Sequence, residues 1–131
     1  MSKQVENWLH VMIIDDQEEM RKIIRKLLNS CNIDKVSEAA NGKEALGIIL
    51  QEDYPRPDVY IVDLHMDEMD GMEFIANRRR KKDRAPIILL TGETDEFVLN
   101  VVKQAGANHI LHKPVSAPEL VKAIRAAISA M

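Results

Sequence analysis

Cys31 is the single cysteine in a chain of 131 residues, so no internal disulfide can form and stability must come from packing. It stands among apolar and helix-ending residues with no base beside it, and reads as a small buried or half-buried side chain. No apolar stretch approaches the roughly 18 residues that a membrane span needs. Met1 to Asn7 has no apolar core like that of a signal peptide, so a cytoplasmic location and no membrane contact are expected. The formal net charge of -3 gives no general pull toward nucleic acid or anionic lipid, and no direct nucleic-acid partner is expected. His10, His65, His109 and His112 have no zinc-like spacing with the one cysteine, which argues against a transition-metal site. There is no internal repeat, linker or low-complexity tract. One domain over 1–131 is expected, long enough to bury a real core and with nothing left for an output domain.

What is present alternates. Val11 to Ile14, Val59 to Val62, Ile87 to Leu90 and Ile110-Leu111 are short apolar runs, and a further strand runs from Lys35-Val36 to Ala39-Ala40. Between them lie helical periodicities. Met20, Ile23, Ile24, Leu27 and Leu28 form the first; Ala45, Leu46, Ile49 and Leu50 the second, entered through Asn41-Gly42. Met72, Phe74 and Ile75 begin the third, which ends in the basic run Arg78 to Lys82. That run is expected to be a solvated face complementing the helix dipole. Phe97, Val98, Val101, Val102 and Ala105 make a fourth helix closed by Gly106, and Leu120, Val121, Ile124, Ala127 and Ile128 a fifth. Such alternation predicts a doubly wound α/β fold with a parallel sheet.

Asp15-Asp16, Asp63, Thr91 and Lys113-Pro114 each follow one of these runs. Strand ends of a parallel sheet share one edge, and ligands bind there. Taken singly, Asp15-Asp16 reads as a helix cap, Asp63 as a turn residue, Thr91 as the start of a loop and Lys113 as a solvated lysine. Taken together they require a cation, because two carboxylates about 4 Å apart repel by roughly 4 kcal/mol at an effective dielectric of 20. An oxygen-only donor set suits a hard divalent ion such as Mg2+, with Mn2+ as the alternative. A phosphoryl group would be neutralised by the same cation, with a lysine and a hydroxyl for its remaining oxygens and Asp63 as nucleophile.

Asp15-Asp16, Asp63 in Val-Asp-Leu-His-Met, Met69-Asp70-Gly71, Leu90-Thr91-Gly92, Gly106-Ala107 and Lys113-Pro114 stand in an order that resembles the receiver domains of two-component response regulators. The resemblance runs essentially the whole length and is that of a single-domain chemotaxis regulator. It implies a flavodoxin-like fold, with five strands in order 2-1-3-4-5 flanked by five helices. It further implies that Asp63 accepts phosphate from a histidine kinase or histidine phosphotransfer protein, and that output is binding to a downstream protein effector. Asp16, Asp63 and the backbone carbonyl of His65 would hold Mg2+ directly, with Asp15 acting largely through water. Thr91 and Lys113 would contact phosphate oxygens, and the Lys113-Pro114 bond would be cis. His65 and Glu93 stand where relatives tune the lifetime of the acyl phosphate. The chain is expected to be no enzyme beyond supporting its own phosphorylation and dephosphorylation.

Two positions depart from the pattern. Ile110 replaces the switch aromatic, so the signal is expected to pass through Thr91 and the fourth helix instead. Asp67 replaces the usual proline after Met66 and is expected to face solvent. Three alternatives stay open at this point: a regulatory fragment of a longer response regulator or hybrid kinase, a degenerate receiver that binds without phosphate, and a haloacid-dehalogenase-like phosphatase. The last wants a second aspartate where this chain has His65.

Overall fold

The computed structural model describes residues 8–130; the reading of Met1 to Asn7 lies outside the described residues. The apolar runs form strands and the amphipathic stretches form helices: β1 (His10–Ile14), α1 (Glu18–Ser30), β2 (Lys35–Ala39), α2 (Gly42–Ile49), β3 (Val59–Val62), α3 (Gly71–Arg80), β4 (Ile87–Thr91), α4 (Glu96–Ala105), β5 (His109–His112) and α5 (Ala117–Ser129). The strands pair in parallel in the order β2-β1-β3-β4-β5, as expected. No helix among the described residues is long and apolar enough to cross a membrane.

Strand periodicity divides the core in two. Met12, Ile14, Tyr60, Val62 and Leu89 pack with Ala45 of α2, Phe74 and Ile75 of α3 and Val102 of α4. Val11, Ile13, Ile61, Ile88 and Leu90 point the other way, to Ile24 and Leu28 of α1 and Leu120 and Ile124 of α5. Each fully buried Ile or Leu contributes about 1.5–3 kcal/mol. β1, β3 and β4 are buried throughout, whereas edge strand β2 opens on exposed Lys35 and β5 closes on exposed His112.

Four of the five helices start where a side chain satisfies a free N–H group. Asn41 accepts from Glu44 N–H at 2.8 Å. Asp70 and Ser116 each form a reciprocal capping box, with Glu73 and Glu119 respectively. The reading of Asp15-Asp16 as the cap of α1 is corrected: Gln17 occupies that position without a side-chain bond. Asp15 Oδ1 instead accepts Gln17 N–H at 2.9 Å, in the turn before the helix.

The basic run ending α3 is also not the solvated face expected. Arg78 is buried and faces Asp83 Oδ2 at 3.4 Å. Arg79 donates to the carbonyls of Gly106 (2.8 Å), Asp83 (2.7 Å) and Ala85 (2.9 Å) and to Asn108 Oδ1 (2.9 Å). Only Arg80, Lys81 and Lys82 are exposed. The two inner arginines tie α3 to the loops that enter β4 and β5 at the amino end of the sheet.

Candidate functional site: an acidic crevice at the carboxyl edge

Register builds the site. Ile14 pairs with Val62 across β1 and β3, so the next residues, Asp15 and Asp63, emerge abreast. Thr91 pairs with His112 across β4 and β5, so Lys113 follows one position later, its N–H held by the Thr91 carbonyl at 2.9 Å. The Lys113-Pro114 bond is cis. Lys113 Nζ reaches Asp15 Oδ2 at 3.0 Å and Asp63 Oδ2 at 3.3 Å.

Asp15 and Asp63 are buried and Asp16 is exposed, and one carboxylate oxygen from each lies within 4.8 Å of the others. Three carboxylates against one ammonium leave an excess of negative charge in a half-dry crevice. Burial, together with Asp15, pushes the Asp63 carboxyl above its ordinary range, and Lys113 only partly counters this. Burial works against the charge on Lys113, yet Asp15 and Asp63 outweigh it and raise its pKa. This oxygen-only, over-charged set fits a hard divalent cation that retains several waters. Asp16, His65, Met66, Asp67 and Asp70 line the adjoining open cavity of about 340 Å³. Asp67 is exposed, as expected, and stands on that rim.

The loops around the crevice are tied down. Gly71 N–H donates to the Leu64 carbonyl at 2.9 Å, and a Cβ at Gly71 would lie 2.4 Å from the Asp63 carbonyl. Glycine there lets the first turn of α3 rest on the strand end carrying Asp63. Glu68 and Met69 both have positive φ (53° and 73°), and their carbonyls accept the N–H groups of Lys43 and Gly42 at 3.3 and 3.1 Å. Across the mouth, His65 Nε2 meets Glu93 Oε1 at 2.8 Å. Glu93 also accepts the backbone N–H groups of Asp95 and Thr94, and these bonds with His65 hold its carboxyl below the usual range.

Thr91 is fully buried, and its hydroxyl accepts Glu93 N–H at 3.1 Å. Ile110 is not at the crevice: it is half-buried in β5 and packs against the core on the α2, α3 and α4 side. Sequence reading brought Asp15, Asp16, Asp63, Thr91 and Lys113 to one edge, and the structure puts them there. It missed Arg21, whose Nη1 donates to the Asp15 carbonyl at 2.7 Å; its place six residues after Asp15 in an α1 start was the available signal.

A five-stranded doubly wound sheet with an acidic, lysine-bearing crevice at its carboxyl edge defines a phosphoryl-accepting signalling switch. The response regulator receiver domain family matches residues 11–125, and the chain belongs to that family. It is 31% identical over 120 residues to the chemotaxis protein CheY of Listeria monocytogenes, covering 91% of this chain and 98% of that one. It is 29% identical to the transcriptional regulatory protein SrrA of Staphylococcus aureus and spans 46% of that protein's length. Chemotaxis protein CheY4 of Vibrio cholerae superposes with a TM-score of 0.80 at 30% identity, covering 91% of this chain and 98% of that chain. A Francisella response-regulator receiver domain gives 0.78 at 27% identity, covering 93% and 98%. Receiver domains are signalling switches rather than conventional enzymes, and they bind Mg2+ at an acidic pocket.

Proposed function

We propose that Asp63 is the phosphoacceptor. The observation that carries this reading is the carboxylate of Asp63, buried beside Asp15 and reached by Lys113 Nζ at 3.3 Å. A carboxylate oxygen of Asp63 attacks phosphorus, the Asp63 O–P bond forms, and the P–N bond to the donor histidine breaks, its electron pair staying on the imidazole nitrogen. Asp16, Asp63 and the His65 carbonyl would hold the Mg2+, or Mn2+, with Asp15 contributing through water. When bound there, the cation would offset the negative charge of the crevice and of the phosphoryl oxygens. Lys113 shifts from Asp63 to a phosphoryl oxygen, and the Thr91 hydroxyl takes another. The donor is a histidine kinase or histidine phosphotransfer protein, the output is a downstream protein effector, and the setting is the cytoplasm.

The proposed signal leaves through Thr91 rather than Ile110. When its hydroxyl turns to phosphate, it releases Glu93 N–H, and Glu93 is bonded to Asp95, the N-cap of α4. NMR shifts that stay unchanged between Thr91 and Lys113 on adding a phosphate analogue would refute this route. His65 and Glu93, closing the mouth, set the rate at which water reaches the acyl phosphate and so tune the domain's own dephosphorylation. Residues 1–131 form one receiver domain on this reading. A second reading, a regulatory fragment of a longer response regulator, draws on the match to about half of the staphylococcal regulator.

The test is intact mass after incubation with Mg2+ and phosphoramidate. Wild type gains one phosphoryl mass and Asp63→Ala gains none. No adduct with phosphoramidate or acetyl phosphate would leave a receiver that binds without phosphate.

A further inference from the structure

We propose that Arg21 is a positioning residue for the acidic crevice, holding the β1–α1 loop in the shape that presents Asp15 and Asp16 to a divalent cation. This rests on the reading of Asp15, Asp16 and Asp63 as the cation site. From the first turn of α1, Arg21 Nη1 donates to the Asp15 carbonyl at 2.7 Å while Nε donates to Glu38 Oε1 of β2 at 3.0 Å. One planar fork thus joins the loop to a strand through two nitrogens held in fixed geometry, which the single nitrogen of an ammonium does not supply.

Asp15 is held at every polar group. Its N–H donates to the Ala39 carbonyl at 3.1 Å, Oδ1 accepts Gln17 N–H at 2.9 Å and Oδ2 accepts Lys113 Nζ at 3.0 Å. The carbonyl is left for Arg21. Among these bonds only the one from Arg21 is a side chain from outside the crevice, and its own orientation is fixed by Glu38.

Glu38 is a persistent anchor. Burial resists its charge, but Arg25 and Arg21 outweigh that and keep its carboxyl below the ordinary value of 4.5. The carboxylate, shared between Arg21 and Arg25, offsets part of their charge, and the role assigned to Arg21 is one of shape. Arg25 supplies an internal control. It shares Glu38 through Oε2 at 2.7 Å and bonds a backbone carbonyl at 3.1 Å, but that carbonyl belongs to Val36, away from the crevice.

The test is calorimetric Mg2+ titration of the full chain, with urea unfolding and phosphoramidate-driven phosphorylation at several Mg2+ concentrations alongside. Outer partners of metal ligands typically change affinity by ten-fold or more. Arg21→Met is therefore expected to weaken Mg2+ binding about ten-fold, with its phosphorylation rate restored at high Mg2+. Arg21→Lys keeps the charge, loses the fork and falls between wild type and Arg21→Met. Arg25→Met loses comparable stability yet binds Mg2+ within about two-fold of wild type. Wild-type affinity in Arg21→Met, or an equal loss in Arg25→Met, overturns the proposal. If Arg21→Met does not fold, wild-type affinity in Arg21→Lys overturns it. Wild-type protein showing no saturable Mg2+ binding overturns the cation site itself and is distinguished before any variant is compared.

Discussion

At the amino end of the sheet, buried polar groups meet partners of the opposite kind, while at the carboxyl end Asp15 and Asp63 face each other with only Lys113 between them. Tyr60 donates its hydroxyl to Asp83 at 2.5 Å, and Arg78 and Arg79 satisfy that carboxylate and the neighbouring carbonyls. His10 Nε2 meets Ser37 Oγ at 2.7 Å, and Tyr54 donates to the same Ser37 oxygen. These networks are closed within the fold. The carboxylate set is not: burial and Asp15 raise the Asp63 pKa, so its ionised form at neutral pH opposes folding. The amino end is built for stability, and the carboxyl end holds charge that a cation and a phosphoryl group relieve.

Substitutions should separate the two ends. Arg79→Met is expected to cost about 2–4 kcal/mol, because the carbonyls of Gly106, Asp83 and Ala85 lose a charged donor. Urea unfolding checks this, and a loss below about 0.5 kcal/mol would remove the contrast. Tyr60→Phe should cost about 1–2 kcal/mol by depriving Asp83 of a hydroxyl donor. Gly47→Ala, remote from both ends, has open space for its Cβ within α2 and should gain about 0.5–1 kcal/mol without changing phosphorylation. A smaller effect is expected from pH. Glu38 is depressed in the folded state, so its contribution is present above its ordinary value of 4.5 and is lost as pH falls through the lower folded value. Glu38→Gln should flatten that acid limb of the stability curve; an unchanged slope would deny Glu38 its anchoring role.

Fold and crevice were legible for the same reason. Apolar runs mark strands, alternation makes them parallel, and residues just after parallel strands share an edge, so Asp15, Asp63, Thr91 and Lys113 could be brought together before any coordinates. Side chains serving distant backbone were not legible. Arg78 and Arg79 carry the pattern of a solvated helix end, yet Arg78 is buried beside Asp83 and Arg79 reaches Gly106 and Asn108, far along the chain. Arg21 likewise depends on Glu38, 17 positions away. At Gly71 nothing local reveals that a Cβ would meet the Asp63 carbonyl.

The thermal midpoints of wild type and Asp63→Asn, each with and without Mg2+, test the central contrast most directly. Without the ion, Asp63→Asn should match or exceed wild type, since it removes an opposed charge; with Mg2+, wild type should rise markedly and the variant much less. An Asp63→Asn protein less stable than wild type without Mg2+, or an equal response of both to the ion, would contradict a carboxyl edge held in conflict until a cation arrives.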